Sequence, residues 1–230
     1  MTKTKEDNYV PALKFHFLTP VYDLVVRSTT RERRFKQALI AQAAVRPGQR
    51  VLDLACGTGT LSIWAKQRQP SAELVGVDGD PAILGIAERK AKAAGVAVVF
   101  DQAMSYALPY PDAHFDRVLT SLFFHHLSWE DKQRTARELL RVLKPGGELH
   151  VADWGRPANG LMRVLYLPVQ WLDGYSNTEE NAKGRLMPMF KATGFIDVQE
   201  RDHFNTLLGT LRLFTAVRPL PEKIQEQLSS

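Results

Sequence analysis

The 230-residue sequence has a single cysteine, Cys56, and therefore offers neither an intramolecular disulfide nor a cysteine-based zinc site. It also lacks the ~20 consecutive apolar residues that cross a bilayer. Its most apolar window, residues 161–172, is shorter and contains Arg163 and Gln170. The first residues are polar and mixed in charge, without the apolar core of a signal peptide. These absences predict a cytoplasmic protein, and we expect no metal site.

The sequence also has no large excess of positive or negative charge. It contains 30 Lys and Arg and 25 Asp and Glu, which gives a net charge of +5. The excess lies in the first 50 residues, where five basic side chains stand close together: Arg27, Arg31, Arg33, Arg34 and Lys36. Such a cluster fits a solvated helix face, or a patch for an anionic substrate or a lipid headgroup. The mild balance does not indicate nucleic-acid binding. We expect a small-molecule partner, and the sequence leaves open a weak association with a membrane surface and the oligomeric state.

No internal repeat, low-complexity run or Gly/Ser/Pro-rich linker divides the chain, so we expect one domain. Short apolar runs alternate with helical segments, which is typical of right-handed βαβ units around a parallel sheet. The predicted strands are Arg50–Leu54, Glu73–Asp78, Val96–Phe100, Asp116–Ser121, Glu148–Asp153, Ile196–Asp202 and Leu211–Arg218. The predicted helices cover residues 29–45, 60–68, 81–94, 128–143, 158–172 and 178–193.

The last two predicted strands follow each other without a helix and are therefore antiparallel in the simplest arrangement. The predicted fold class is α/β, with a doubly wound, mostly parallel, Rossmann-like sheet, an antiparallel final strand and an N-terminal helical extension. We divide the single domain 1–230 into an N-terminal helical cap (1–46), a core (47–153) and a C-terminal part with cap helices and the final strand pair (154–230).

The segment Val51–Thr60 combines a buried strand, a loop of small residues and the start of a helix. Gly57 and Gly59 allow the backbone to approach a ligand closely, and the helix N-terminus presents unpaired N–H groups to it. Dinucleotide-binding loops use the same physics, but Ser62 stands here in place of their third glycine. Asp53, just before the loop, would repel a pyrophosphate and favours a ligand with an ammonium or sulfonium group.

The next strand ends in a carboxylate, Asp78, which lies 25 positions after Asp53. A carboxylate at this place accepts hydrogen bonds from both hydroxyls of a ribose diol. The two acidic residues together indicate a cofactor with a ribose, a positive charge and no phosphate. S-adenosylmethionine has these three properties, whereas NAD(P) does not.

Five motifs then occur in the order and spacing of a known family: Leu52–Gly59, Gly76–Asp78, Ala107–Asp116, His125–Leu127 and Arg141–Gly147. The chain resembles the class I S-adenosylmethionine-dependent methyltransferases, and its pattern is similar to the ubiquinone/menaquinone-biosynthesis C-methyltransferase type and its small-molecule relatives. The resemblance implies S-adenosylmethionine as cofactor, with its ribose on Asp78 beside Gly79 and with Ser121 near its methionine moiety. The residues implied for the methionine end are Asp53, Ala55, Gly57, Thr58 and Gly59.

Two places depart from the family pattern. Ala55 replaces the first glycine of the loop, and this exchange of small residues still admits the ligand. The Asp-Ala pair that often receives the adenine amino group is replaced by Met104 and Ser105. We assign both residues to the adenine pocket, where Met104 packs on the ring and Asp101 or Gln102 supplies the lost contact.

Candidate residues for the methyl acceptor are fewer. His125 and His126 follow the fourth predicted strand, at the edge where open parallel sheets bind ligands. Each histidine could pack in the core or cap a turn. Alternatively, it could be a catalytic general base beside the methyl group that is transferred. Trp154, at the end of the next strand, and Tyr22, in an aromatic-rich segment, are the expected substrate residues. The apolar segment 161–172 fits core packing, an oligomer contact or a cap over the acceptor.

We therefore expect methyl transfer from S-adenosylmethionine to a small, largely apolar acceptor of the quinone, phenol or lipid type. An NAD(P)-dependent oxidoreductase and a non-catalytic S-adenosylmethionine-binding protein are the alternatives. Cys56 lies inside the glycine-rich loop without a free approach, so we interpret this thiol as structural.

Overall fold

The computed structural model describes residues 32–221. The predicted substrate residue Tyr22 and two of the clustered basic residues, Arg27 and Arg31, lie outside this range, as does the start of the predicted helix 29–45. None of the helices within residues 32–221 is long and apolar enough to cross a membrane.

Helices and strands alternate through most of the described chain. The strands are β1 (Arg50–Leu54), β2 (Glu73–Asp78), β3 (Val99–Gln102), β4 (Phe115–Ser121), β5 (Leu143–Trp154), β6 (Ile196–Thr206) and β7 (Gly209–Val217). The helices are α1 (Glu32–Ala43), α2 (Thr60–Arg68), α3 (Pro81–Ala93), α4 (Trp129–Val142), α5 (Gly160–Leu165), α6 (Leu167–Asp173), α7 (Tyr175–Ala182) and α8 (Leu186–Thr193). A short 3₁₀ helix, Phe124–His126, stands between β4 and α4.

The strands form one sheet in the order β3-β2-β1-β4-β5-β7-β6. The pairs β3–β2, β2–β1, β1–β4 and β4–β5 are parallel. β7 lies between β5 and β6 and is antiparallel to both. The structure thus confirms the predicted mostly parallel sheet with an antiparallel final strand. The strand order reverses between β1 and β4, which is where sheets of this kind bind ligands, beyond the carboxyl ends of the strands.

Two predicted helices are each divided in the structure. The predicted helix 158–172 forms α5 and α6, because Pro168 cannot continue a helix and instead occupies the first turn of α6. The predicted helix 178–193 forms α7 and α8, which are separated at Gly184 by a left-handed conformation with φ of 75°.

Two predicted strands have different boundaries. β3 covers Val99–Gln102 instead of 96–100, because the N–H of Val96 donates to the carbonyl of Ala91 and so closes the end of α3. β5 begins at Leu143 instead of Glu148, and the residues before Glu148 form an irregularity in its pairing with β4.

Each face of the sheet carries its own apolar core. One face packs against α4 and α8, with Leu139 and Phe190 fully buried. The other face packs against α1, α2 and the helices α5 to α7, where Phe35, Leu61 and Tyr166 are at most 1% exposed. We call α5, α6 and α7 the cap, and the packing of its residue Tyr166 on Trp154 fixes it beside the carboxyl end of β5.

The amino ends of the strands are held together by a buried guanidinium. Arg117 of β4 is 8% exposed and donates from Nε to the carbonyl of Ala43 at 3.1 Å. It also pairs with the carboxylate of Glu148 at 2.9 Å. Arg117 thereby joins the end of α1 to β4 and β5, at the end of the strands away from the predicted site.

We expect Arg117→Leu to lower the free energy of unfolding by about 1.5–3 kcal/mol, because buried hydrogen bonds to a charged group are lost. Chemical denaturation measures the change. Arg50→Leu is the matched control, since Arg50 forms an exposed ion pair with Glu73, and such pairs contribute about 1 kcal/mol or less. Equal destabilisation by both substitutions would contradict the role of Arg117.

Candidate active site

The glycine-rich loop between β1 and α2 adopts left-handed backbone conformations, with φ of 54° at Ala55 and Gly57 and 73° at Gly59. A Cβ added at Gly57 would meet no atom within 4 Å, so this side of the loop faces open space. A Cβ added at Gly59 would lie 2.9 Å from the Cβ of Ala87 and 3.0 Å from the ring of Phe100. The loop is therefore packed against α3 and β3 on one side and free for a ligand on the other.

Asp53 lies beneath the loop and is only 1% exposed. Its carboxylate accepts a hydrogen bond from the hydroxyl of Ser62, the residue that replaces the third glycine of a dinucleotide loop. Burial raises the pKa of Asp53 to about 6, although the Ser62 hydrogen bond acts in the opposite direction. A carboxylate with so little solvation gains stability from a nearby cation.

Asp78, at the end of β2, fastens the loop to the sheet. One of its carboxylate oxygens accepts the N–H of Gly57 at 2.9 Å, and the other accepts the N–H of Asp80 at 3.1 Å. Burial raises the pKa of Asp78 against the effect of these hydrogen bonds. Each oxygen retains a further lone pair, so the carboxylate can also accept from two hydroxyls. The neighbouring carbonyl of Gly79 accepts from the amide of Gln102 at 3.2 Å.

Thr58 and Cys56 have side chains that are already engaged. The hydroxyl of Thr58 accepts from the ammonium of Lys90 at 2.8 Å, and Lys90 donates equally to Thr60. Cys56 is 6% exposed, and burial, together with the nearby carboxylates, raises the pKa of its thiol. The thiol therefore stays protonated at neutral pH, which agrees with a structural role.

The predicted adenine residues are placed differently from one another. Ser105 is 8% exposed, and its hydroxyl lies 2.8 Å from that of Thr135 in α4, so this side chain is directed into the protein. Met104 is half-buried. Asp101 accepts a hydrogen bond from the hydroxyl of Tyr110 at 2.7 Å. Met104 and the backbone of Ser105 are thus the parts of this pair that remain for an adenine ring.

A sharp turn follows β4 on the other side of the strand-order reversal. Ser121, half-exposed, is the last residue of the strand. Leu122 then adopts a left-handed conformation with φ of 54°, and its N–H donates to the carbonyl of Ala152 at 2.8 Å. This turn leads directly into the 3₁₀ helix and brings His125 over the end of β5.

His125 is 2% exposed, and its Nδ1 lies 2.6 Å from the carboxylate of Asp153 in β5. The same carboxylate accepts the backbone N–H groups of Trp154 at 2.7 Å, Phe123 at 3.1 Å and His125 at 3.4 Å. A carboxylate surrounded by donors accepts from the imidazole too, so Nδ1 of His125 carries the proton. In the neutral form of this imidazole, the free electron pair is therefore on Nε2.

Trp154, a predicted substrate residue, is 3% exposed. Its ring packs on Tyr166 of the cap at a centroid distance of 5.7 Å and on His125 at 6.4 Å. The indole therefore supports His125 from behind and is covered by the cap.

Asp173, the last residue of α6, lies against both histidines. Its Oδ2 is 3.6 Å from Nε2 of His125, and its Oδ1 is 3.6 Å from Nδ1 of His126. Burial raises the pKa of Asp173. Burial, together with the adjacent His125, lowers the pKa of His126 well below its usual range, so His126 is neutral at pH 7. We call His125, His126 and Asp173 the histidine cluster.

Asp173 is not among the site residues predicted from the sequence. This residue ends an apolar segment that is typical of a protein core, and the one local signal is a polar residue directly before Gly174. Its contact with the two histidines comes from the packing of the cap, which brings together residues that are far apart in the sequence.

Comparisons with known proteins agree with this geometry. A methyltransferase-domain family matches residues 51–147. The demethylmenaquinone methyltransferases of Thermus thermophilus and Deinococcus radiodurans are 40% and 37% identical over 154 residues, which is 66% of this chain and 69% and 63% of theirs. The ubiquinone/menaquinone biosynthesis C-methyltransferase UbiE of Ectopseudomonas mendocina is 38% identical over 157 residues. That match covers 66% of this chain and 60% of the relative, so two of these three relatives are matched over less than two thirds of their length.

Solved structures share the fold. The YcgJ protein of Bacillus subtilis has a TM-score of 0.68 at 21% identity and covers 82% of this chain and 100% of its own. A phosphoethanolamine N-methyltransferase of Haemonchus contortus, solved in complex with S-adenosyl-L-methionine, has a TM-score of 0.68 at 17% identity. It covers 81% of this chain and 52% of its own. Identities this low show the fold alone.

The sheet order, the glycine-rich loop and the sequence matches define a class I S-adenosylmethionine-dependent methyltransferase. The chain belongs to this family, and within it to the type of the demethylmenaquinone and ubiquinone/menaquinone C-methyltransferases.

S-adenosylmethionine is the cofactor of this family, and the residues of the described loop fit it. Asp53 is a carboxylate whose pKa is raised by burial, so a cationic ligand would stabilise its charged form. Gly57 borders open space, and Asp78 retains acceptor capacity beside it. A cationic ligand with a ribose diol and without phosphate meets all three requirements.

The two loop glycines give a matched pair of substitutions. Both have positive φ, so alanine is strained at either position, by about 1 kcal/mol or more. Only Gly59→Ala also places a Cβ within 3.0 Å of neighbouring atoms. We expect Gly59→Ala to lower the melting temperature clearly more than Gly57→Ala. Equal shifts in thermal denaturation would contradict the close packing of the loop on α3 and β3.

Proposed function

We propose that this protein transfers a methyl group from S-adenosylmethionine to a small, largely apolar acceptor with a hydroxyl on an aromatic ring, such as a quinol or phenol. The observation that carries the proposal is the apolar cap beside the carboxyl ends of β4 and β5, with the histidine cluster on its inner side. Relatives named as demethylmenaquinone and ubiquinone/menaquinone methyltransferases support the quinol class.

In this proposal, the ends of β1 and β2 hold the donor. Asp78 accepts hydrogen bonds from the ribose hydroxyls, and Asp53 supplies the negative charge opposite the ammonium and sulfonium groups. The other proposed donor contacts are Ala55, Gly57, Thr58, Gly59, Gly79, Met104, the backbone of Ser105, and Ser121. The bound donor supplies a methyl group attached to a positively charged sulfur, and the chain has to align the acceptor with it and exclude water.

The cap offers an apolar surface for the acceptor. Its exposed apolar side chains are Leu161, Val164, Leu167, Trp171, Leu172 and Tyr175. Trp171 is 85% exposed, which is unusual for a tryptophan. Clustered exposed apolar residues mark a contact with an apolar partner, whereas scattered single ones do not. We therefore assign the described residues after 154 to acceptor binding and those from 47 to 153 to the donor, except for His125 and His126, which face the acceptor.

The histidine cluster is where the acceptor hydroxyl would lose its proton. His125 presents the lone pair of Nε2, because Asp153 holds the opposite nitrogen. A quinol or phenol becomes a stronger nucleophile when its oxygen is deprotonated, since the negative charge increases the electron density of the ring. Trp154 acts behind His125 in this scheme, as a residue that positions the imidazole.

The two alternatives differ in their support. An oxidoreductase that uses NAD(P) is not favoured, because the chain belongs to a methyltransferase family and Asp53 and Ser62 stand where pyrophosphate would bind. A non-catalytic S-adenosylmethionine-binding protein would share the donor half of the site, so an activity measurement separates it from the proposed enzyme.

The raised pKa of Asp53, about 6, makes donor binding dependent on pH. A cationic donor favours the charged carboxylate, so binding releases a proton and affinity rises as the pH increases through 6. We expect binding at pH 5 to be about tenfold weaker than at pH 7, because one unit below its pKa only about one tenth of the carboxyl is charged. Isothermal titration with S-adenosylmethionine measures this ratio.

The control is Asp53→Asn, which should bind more weakly and lose most of the pH dependence. Burial also raises the pKa of Asp78, so the slope that remains in this variant reports Asp78. An unchanged slope would show that Asp53 does not face the donor.

The acceptor class is tested by offering quinol, phenol, lipid and RNA acceptors together with methyl-labelled donor. We expect transfer to a quinol or phenol, and the double variant His125→Ala/His126→Ala should reduce kcat by about 10²–10⁴-fold, as the loss of proton-transfer groups typically does. The dissociation constant of the donor should stay constant, because the proposed donor contacts include neither histidine.

His114→Gln is the matched control, since His114 lies just before the amino end of β4, at the opposite edge of the sheet. Transfer to RNA alone would overturn the small-molecule proposal. Absence of transfer to all four classes would favour the non-catalytic alternative. A His125→Ala/His126→Ala variant with full kcat would leave the acceptor class intact and remove the two histidines from catalysis.

A further inference from the structure

The histidine cluster has an arrangement that general-base chemistry does not require. Three side chains from two separate parts of the fold, the 3₁₀ helix and the end of α6, each offer one ligand atom that lies within 4.8 Å of the other two. The histidine nitrogens that lie nearest to the carboxylate of Asp173 are Nε2 of His125 and Nδ1 of His126. We propose that His125, His126 and Asp173 bind one divalent transition-metal ion of the zinc class.

The distances within the cluster fit an ion better than direct contact. Nε2 of His125 is 3.6 Å from Oδ2 of Asp173, and Nδ1 of His126 is 3.6 Å from Oδ1, the other oxygen of the same carboxylate. Both separations are longer than a hydrogen bond between nitrogen and oxygen. Ligands bound tetrahedrally to zinc at about 2.0–2.1 Å lie about 3.3–3.5 Å from each other. Small side-chain shifts would therefore close the three atoms around an ion.

The type and number of ligands also match. Two imidazoles and one carboxylate form the three-ligand set of many catalytic zinc sites, in which the fourth position stays open. The same set binds iron(II) in other proteins, whereas magnesium and calcium prefer oxygen ligands throughout. The cluster lacks cysteine, so the single thiol of the chain is not needed for it.

Asp153 orients the first ligand in the way that metal sites commonly use. Its carboxylate accepts the Nδ1 proton of His125 at 2.6 Å and is itself fixed by three backbone N–H groups. A histidine held in this manner has its lone pair on Nε2, and the carboxylate increases the basicity of that nitrogen. Nε2 of His125 is the atom that faces Asp173.

The negative charge of Asp173 favours a cation in the cluster. Among the described residues, the carboxylate of Asp173 has no donor within hydrogen-bond distance, and its neighbours in the cluster are two imidazoles. The nearby ammonium of Lys132 is directed elsewhere, to the carbonyls of Leu127 and Asn177, both at 2.6 Å. The carboxylates of Asp153 and Asp173 together would balance the charge of one divalent ion.

The fold holds the second ligand in place as well. The side-chain amide of Asn177, in α7, donates to the carbonyl of His126 at 3.1 Å. The cap therefore supplies Asp173 and at the same time anchors the 3₁₀ helix that carries both histidines. Because the ligands come from both sides of this contact, metal binding would tie the cap to the end of β4.

The position left open on such an ion would take water or the oxygen of an acceptor hydroxyl. This part of the inference rests on the proposed function, because it assumes an acceptor with a hydroxyl. A zinc ion lowers the pKa of an oxygen bound to it. The cluster would then promote loss of the acceptor's proton by polarising its oxygen, with His125 and His126 serving as ligands.

Metal binding is tested on the untagged full chain after treatment with a chelator, without donor or acceptor. Isothermal titration with zinc chloride should show one ion per chain, and zinc should raise the melting temperature. His126→Ala and Asp173→Asn should each weaken zinc binding at least tenfold, whereas His114→Gln should bind as the wild type does. Magnesium chloride should bind far more weakly than zinc chloride.

Circular dichroism of the variants shows whether they fold, and a second probe does not depend on the substitutions. Cobalt(II) in place of zinc should give the visible absorption of a four-coordinate nitrogen and oxygen site in the wild-type chain. No zinc binding in the wild type, equal zinc affinity in the folded variants, or equal binding of magnesium would each overturn the proposal. Zinc binding without methyl transfer to any acceptor would refute the proposed function alone.

Discussion

Parallel pairing forces three carboxyl groups of this protein into one buried edge. Asp78, Asp53 and Asp153 all stand at or next to the carboxyl ends of strands in the parallel part of the sheet, so the negative charge of each needs hydrogen-bond donors or a cation there. The carboxylate of Asp78 accepts a hydrogen bond from a backbone N–H group of the loop, and the carboxylate of Asp53 accepts one from a hydroxyl. Three backbone N–H groups and an imidazole compensate Asp153. The loop conformation, the turn after β4 and the orientation of His125 follow from these needs, and the group with the fewest donors is the one that we assign to a cationic ligand.

The sequence predicted the strand, loop and helix of the proposed donor site well, because these elements are local. Strand, loop and helix from residue 50 to 68 are contiguous, and their small residues and periodicity are visible without the structure. The acceptor half is assembled from residues far apart in the chain, so neither Asp173 nor the burial of Trp154 under the cap could be predicted from local patterns. Pro168 could have predicted the break in the predicted helix 158–172, because proline does not continue a helix, but the apolar pattern runs through this position.

The fold of this protein does not by itself identify the reaction that it catalyses. The [4+2]-cyclase SpnF has the same fold, with a TM-score of 0.62 at 19% identity, although its name describes a cyclisation. The distinction therefore has to come from the site. In this chain, the loop end of the sheet has features common to cofactor binding, whereas the histidines and the cap are the parts of the site to which we assign the choice of acceptor.

The position of β7 has a consequence for how the protein is made. β7 is the last strand of the described chain, but it lies inside the sheet, where it pairs with both β5 and β6. During synthesis, β6 emerges before β7, the strand that joins it to the sheet. Until β7 is present, the side of β5 away from β4 has no partner strand, although most side chains of β5 are buried in the finished protein. Nascent chains that stop before Gly209 would thus display an open sheet edge, a known cause of aggregation. Completion of the sheet depends on the final strand leaving the ribosome.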